Sequence, residues 1–224
     1  MNTNTDEVAV ITIDGPSGAG KGTLSQLVAR HLKYHLLDSG ALYRLVALSA
    51  HKLNINLQNE DAVADVASKI QVKFDADGDC TRILLAKEDV TQAIRDENVS
   101  MGASIVAAYP KVRAALLQRQ RDFAQAPGLV ADGRDMGTTV FPHAKVKIFL
   151  TASAEARAER RLKQLAQKGI DVDMAELIRD IKARDDRDTQ REASPLKPAA
   201  DALVLDSTLM TIDQVLNAIL NSVR

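Results

Sequence analysis

Tryptophan is absent from the 224-residue chain, and aromatic residues of every kind make up only 3% of it. A platform that stacks single-stranded bases needs several exposed rings, so this scarcity argues against that class of nucleic-acid binder. A single cysteine, Cys80, leaves no internal disulfide and no cysteine metal cluster. Charge of one sign is also missing. The 29 Lys and Arg nearly balance 30 Asp and Glu, for a formal net charge of −1. No global field therefore draws the chain to nucleic acid or to an anionic membrane. No apolar run is long enough to span a bilayer, and the polar start from Met1 to Glu7 lacks the features of a signal peptide. A cytoplasmic protein is expected. His31, His35, His51 and His143 show neither metal-ligand spacing nor a Ser or Cys partner motif, and the N-K-x-D motif that selects guanine is not found.

What is present is concentrated in one stretch. Apolar residues at 46% and charged residues at 26% suit a globular protein, with length for one large domain and a small insert. The apolar run Val8 to Ile13 leads into Gly15-Pro16-Ser17-Gly18-Ala19-Gly20-Lys21-Gly22-Thr23, and Leu24, Leu27, Val28 and Leu32 follow at helical spacing. Strand, glycine-rich loop and helix are the context in which G-x-x-x-x-G-K becomes a phosphate site. Glycines let successive N–H groups converge, the helix start adds its unpaired N–H groups, and Lys21 can reach the β- and γ-phosphates of a nucleoside triphosphate. In the stricter pattern Ser or Thr follows the lysine directly, whereas here Gly22 precedes Thr23.

Further along, four more short apolar segments are separated by helical patterns: Tyr34–Leu37, Gly128–Asp132, Val146–Leu150 and Ala202–Asp206. With the first, they predict an α/β fold, a five-stranded parallel sheet flanked by helices. Ligands on such sheets lie at the carboxyl ends of the strands, where Gly15, Asp38, Asp132 and Thr151 fall. Between them, Asp61–Ile70 reads as a short helix, and Ile70–Phe74 with Thr81–Leu85 as a hairpin turning at Asp75–Asp79. This hairpin is local and antiparallel, and so reads as an insertion. Helical pattern returns from Glu97 to Ala126, broken at Pro110, and again from Ala154 to Ala193 around a loop at Gln164–Asp173.

Candidate ligand-binding residues cluster in two of these regions. Asp132 ends a strand near the phosphate loop, where a carboxylate can hold Mg²⁺ directly or through water. Gly133 and Gly137 bracket Arg134 and Asp135 and keep the backbone open to a ligand. In the long helical region, the apolar stripe Met174, Leu177, Ile178 and Ile181 continues into Arg184, Asp185, Asp188 and Arg191. Charges that face a core direction are costly unless paired or liganded, and Arg with Asp suits phosphates and sugar hydroxyls. Arg157 and Arg161 share a helix face with Arg160 alongside; a solvated face paired with Glu155 and Glu159 is the plainer alternative. Ser39, Tyr43 and Arg44 begin another helix, where Arg44 could meet an anion, while Arg113 reads as any surface arginine.

Taken together, Asp14–Thr23, Leu37–Arg44, Ala131–Thr138 and Ala183–Asp188 make the chain resemble bacterial cytidylate kinases, within the P-loop nucleoside monophosphate kinases, from about Val10 to Leu216. Gly-Lys-Gly-Thr is itself a feature of that group. The resemblance implies a single kinase domain over 1–224, with a monophosphate-binding insert at about 63–100 and a mobile lid at about 157–190. It implies transfer of a phosphoryl group from ATP, as MgATP, to CMP or dCMP. Implied contacts are Ser39, Arg44, Arg134 and Arg191 around the monophosphate, Tyr43, Arg184 and Asp188 around the sugar, and Ser104, Arg113 and Asp135 on cytosine. Gly15 to Thr23, with Arg157 and Arg161, would serve ATP; Lys21, Arg134, Arg184 and Arg191 would be catalytic; Thr23 and Asp132 are the candidate metal ligands. A carboxylate accepts from cytosine N4 while an arginine donates to N3 and O2, whereas uracil inverts the pattern. A monomer is expected. A kinase for UMP or AMP, or an ATP-binding regulator without catalysis, are the alternatives.

Overall fold

The apolar run ahead of the glycine loop forms the middle of a parallel sheet. The computed structural model describes residues 8–75, 82–167 and 169–223. Strands β1 (Val10–Asp14), β2 (His35–Asp38), β6 (Leu129–Gly133), β7 (Val146–Thr151) and β8 (Leu203–Asp206) pair in the order β2-β6-β1-β7-β8. All four pairings are parallel. Each strand lies within a residue or two of its predicted place. Strands covered on both faces must be apolar along their whole length, and this makes them conspicuous in the sequence: β6 is buried at every position.

The chain divides into two compact units, Met1–Asp38 with Arg121–Arg224, and Ser39–Gln120. The first contains the parallel sheet, α1 (Lys21–Leu32), α6 (Ala154–Ala166), α7 (Met174–Gln190) and α8 (Ile212–Ser222). Ile11, Ile13, Leu24, Val28, Val130, Ile148, Leu150, Val215 and Ile219 form its buried core. Burying a side chain of this size contributes about 1.5–3 kcal/mol, so α1 and α8 are pinned to the sheet by a few residues each. Helix α8 was not among the predicted elements. Its signals are nevertheless present: Thr211 and Gln214 form a capping box, and Val215 and Ile219 are spaced for one helix face.

The second unit holds α2 (Ser39–Lys52), α3 (Glu60–Lys69), α4 (Glu97–Val106) and α5 (Pro110–Arg121). Asn59 caps α3 and Asp96 caps α4 through their side chains. Pro110 opens α5, a position where its missing N–H costs nothing. A small antiparallel sheet runs β3 (Val72–Asp75), β4 (Arg82–Leu85) and β5 (Glu88–Asp89). Strand β5 is an addition to the expected hairpin; Ala86 and Lys87 turn the chain into it at φ of 47° and 75°. Such a turn usually advertises itself by Gly or Asn, and here it does not. Most of the turn expected at Asp75–Asp79, along with Cys80, lies outside the described residues.

Candidate active site

The phosphate loop leaves the sheet from β1, which has β6 on one side and β7 on the other, at the crevice where parallel sheets bind ligands. Gly15 has φ of 149°, and a Cβ there would stand 1.9 Å from the carbonyl oxygen of Leu150. No other residue fits. Gly20, left-handed at φ of 97°, is the N-cap of α1, with no side-chain cap bond and no acidic residue in the first helical turn. The positive end of the helix is therefore not neutralised locally.

Lys21 is the first residue of that helix, only 6% exposed, and its Nζ donates to the Pro16 carbonyl at 2.8 Å. Burial, seconded by the Arg134 guanidinium, pulls its pKa down to about 7 against the attraction of Asp132, Asp14 and Asp38. Asp14 and Asp38 end β1 and β2, and Asp132 is the penultimate residue of β6, in register with Asp38. Asp14, 4% exposed, accepts from the N–H groups of Met136 and Gly137, both at 2.8 Å. Burial nevertheless pushes its pKa up to about 7, overcoming these two bonds. The N–H groups belong to a π-helical turn, Met136–Val140, whose start also returns the N–H groups of Thr139 and Val140 to the Asp135 carbonyl. Asp14 thus holds the turn next to which Arg134 and Asp135 stand. Its signal in the sequence is a carboxylate closing an otherwise apolar strand.

Arg134 reaches the far end of α7, its Nε donating to Asp188 Oδ2 at 2.9 Å. Asp188 is the one buried residue of that helix. Burial works to raise its carboxyl, but Arg134, then Arg191 and Arg184, outweigh it and hold the pKa below the usual carboxylate range. The predicted residues Lys21, Arg134, Arg184, Asp188 and Arg191 thus belong to one electrostatic neighbourhood. Arg191 caps α7 from extended backbone and donates to the Ser194 carbonyl at 2.6 Å. The expected change along α7 from core to charge is not a change in depth. Met174, Leu177, Ile178 and Ile181 are half-buried, as are Arg184, Asp185 and Arg191, and only Asp188 lies deeper. Arg157 is 4% exposed and forms its ion pair with Asp185, its charge bearing on Glu155 only as the last of the influences that hold that carboxyl low. Arg160 donates to the Ala19 carbonyl, and Arg161 is half-buried.

In the second unit, Ser39 donates to Gln120 Oε1 at 2.9 Å, and both residues are buried. Arg113 is buried at 9% exposure instead of lying on the surface; its guanidinium stands 5.6 Å from the centre of the Tyr43 ring, and Nη1 donates to the Ala107 carbonyl. Arg44 is half-buried on α2, and Ser104 on α4 turns its hydroxyl back to the Ser100 carbonyl at 3.3 Å. Gln120 was missed by the sequence reading, because a glutamine in a helical pattern carries no mark of burial.

Among the described residues no group of three or more His, Cys, Asp or Glu is placed to hold a metal ion. Thr23 is exposed on the first turn of α1, and a Cβ on Gly22 would lie 3.7 Å from Asp132 Oδ2. One hydroxyl and one carboxylate beside a phosphate loop fit a Mg²⁺ that keeps its waters and arrives on phosphates, as Mg²⁺ commonly does. No described helix is long and apolar enough to cross a membrane.

A family model described as cytidylate kinase matches residues 11–224. The cytidylate kinase of Vibrio parahaemolyticus is 56% identical over 218 residues, which cover 97% of this chain and 96% of that one. That of Photobacterium profundum is 59% identical over 206 residues, covering 92% and 90%. That of Stutzerimonas stutzeri is 58% identical over 218 residues, covering 96% and 95%.

Proposed function

The chain belongs to the cytidylate kinase family, and from that premise we infer that it transfers the γ-phosphoryl group of ATP to CMP or dCMP, giving ADP with CDP or dCDP. One observation carries this beyond the family name: a glycine loop with a buried lysine shares a unit with arginines gathered on Asp188. Phosphoryl transfer requires positioning and charge neutralisation more than covalent help, and that unit supplies both.

Gly15, Pro16, Ser17, Gly18, Ala19, Gly20, Lys21, Gly22 and Thr23, together with Arg157 and Arg161, serve ATP. Ser39, Arg44, Arg134 and Arg191 serve the monophosphate; Tyr43, Arg184 and Asp188 the sugar; Ser104, Arg113 and Asp135 the cytosine. The segment 63–100 acts as the monophosphate-binding insert and 157–190 as the lid. Lys21, Arg134, Arg184 and Arg191 stabilise the charge of the transferring group. The acceptor phosphate is already anionic near neutral pH, so no general base is needed. Lid closure keeps water, a competing acceptor, away from the reaction. Magnesium enters as MgATP and supplies positive charge to the β- and γ-phosphates when bound; Thr23 and Asp132 are the residues that would hold it, directly or through water. The protein works in the cytoplasm as a monomer.

The decisive assay couples ADP release to MgATP with CMP, dCMP, UMP or AMP as acceptor. Rapid turnover with CMP and dCMP and little with AMP is expected. A preference for AMP or UMP would keep the phosphotransferase and overturn the roles of Ser104, Arg113 and Asp135. ATP binding without turnover on any acceptor would leave a regulator.

A further inference from the structure

The arginines of α6 touch the phosphate loop from behind. Arg157 Nη1 donates to the Ser17 carbonyl at 3.0 Å, and Arg160 Nη1 to the Ala19 carbonyl at 3.3 Å. Ser207, 2% exposed, donates its hydroxyl to the Thr151 carbonyl at 3.0 Å, with the Ala19 oxygen a longer 3.4 Å away, and takes Arg160 Nη2 on its own carbonyl at 2.6 Å. With Lys21 on Pro16, the carbonyl oxygens of residues 16, 17 and 19 all have donors. In a planar trans peptide the C=O and the following N–H point in opposite directions. Securing these three carbonyls therefore fixes the direction of the N–H groups of Ser17, Gly18 and Gly20, the groups that the reading of the loop gives to a phosphate.

Arg157 is itself heavily committed. Its Nε donates to the Ala152 and Ser153 carbonyls at 3.0 and 3.3 Å, and its two Nη atoms form a forked pair with the Asp185 carboxylate. Its stem lies along Gly18, where a Cβ would be 3.4 Å from Arg157 Cβ. A guanidinium this deep, with its fork closed on a carboxylate, has little to offer a phosphate directly.

Resting on the reading of the loop as a triphosphate site, we infer that Arg157 is a positioning residue, locked by Asp185, whose service to ATP is exercised through the loop backbone and not by contact with the nucleotide. Asp185 belongs to the same device through its forked bond with Arg157. Preorganised donors are effective because they need not rearrange on binding. Losing one charge-assisted bond of this kind costs about tenfold to a hundredfold in an equilibrium constant.

The test uses the full chain with Arg157→Lys, Asp185→Asn and the double variant, and two probes: ATP and inorganic tripolyphosphate. If Arg157 acts through the loop, both probes weaken by the same factor, about tenfold or more. Asp185→Asn should reproduce most of that loss, and the double variant should be no worse than Arg157→Lys alone. The Kd for CMP measured without ATP should stay within about twofold while KM for ATP rises. A loss confined to ATP with tripolyphosphate binding intact would overturn the inference, because it would place Arg157 on the nucleoside. Additive losses in the double variant would overturn it as well. Should Arg157→Lys fail to fold by thermal unfolding, Asp185→Asn decides alone: equal weakening of both probes supports the device and unchanged binding refutes it. Tripolyphosphate binding needs no turnover, so absence of CMP kinase activity would fell the proposed reaction separately.

Discussion

Binding of a triphosphate at pH 8 should draw a proton onto Lys21. Buried, and next to Arg134, the free lysine has a pKa near 7, so about one molecule in ten carries the proton at pH 8. A bound ATP brings several negative charges to the same point and restores the ordinary ammonium range, which leaves the lysine almost wholly protonated. The uptake is about 0.9 proton per ATP, and the protonation costs about 1.4 kcal/mol at that pH, a tenfold loss of affinity relative to acid conditions. Above pH 8 the affinity should fall by about tenfold per unit until the ordinary lysine pKa is approached. Titration calorimetry at pH 8 in two buffers of different ionisation enthalpy measures the uptake directly. Asp14, ionised at pH 8, would add in the same direction if it regained a proton, so Lys21→Met is the control that isolates the lysine. No proton uptake, or the same uptake in Lys21→Met, would refute the reasoning.

Asp14 has a different pH signature. Its pKa is raised on folding, so its contribution to stability is fully present below about 3.8 and is lost as pH rises through about 7. Chemical denaturation should show about 2 kcal/mol of stability lost between pH 5 and 7 through this group, and the slope should vanish in Asp14→Asn. Arg134→Ala removes the hydrogen-bonded partner of Asp188, so kcat/KM for CMP should fall by about a hundredfold or more; near-normal kinetics would sink its assignment. Gln120→Leu leaves the Ser39 hydroxyl buried without its acceptor, and thermal unfolding should register about 1–2 kcal/mol of destabilisation. Gly15→Ala drives a Cβ into the Leu150 carbonyl, and soluble protein of wild-type Tm would contradict the close approach of β1 and β7.

The elements that announced themselves are those whose burial is uniform. β1 and β6 read as apolar runs because neither face sees water, and the glycine loop reads as a phosphate site because no other composition makes that bend. Where side chains far apart in the chain set the geometry, local pattern is silent. The π-helical turn after Asp135 is held by Asp14, 122 residues away at its first bond, and Ser39 meets Gln120 across 81 residues. Arg113 shows the same limit: nothing in Pro110-Lys111-Val112-Arg113 says that its guanidinium lies over Tyr43. Arg157 was visible as an arginine four residues from Arg161, but its partner Asp185 lies on the next helix. Ser104 owes its assignment wholly to family resemblance, and its hydroxyl bonds only within its own helix turn.

Asp185 and Asp188 stand three residues apart on α7, close to one helical turn, and each receives an arginine from elsewhere: Arg157, which braces the phosphate loop, and Arg134, beside Lys21. A helix is stiff over one turn, so α7 is a crossbar between two grips. It cannot slide or rotate to loosen one without straining the other. Donor and acceptor occupancy should then be felt jointly, with ATP sharpening the hold on CMP and CMP sharpening the hold on ATP by the same factor. Loss of either carboxylate would leave two substrates that still bind but no longer take notice of each other.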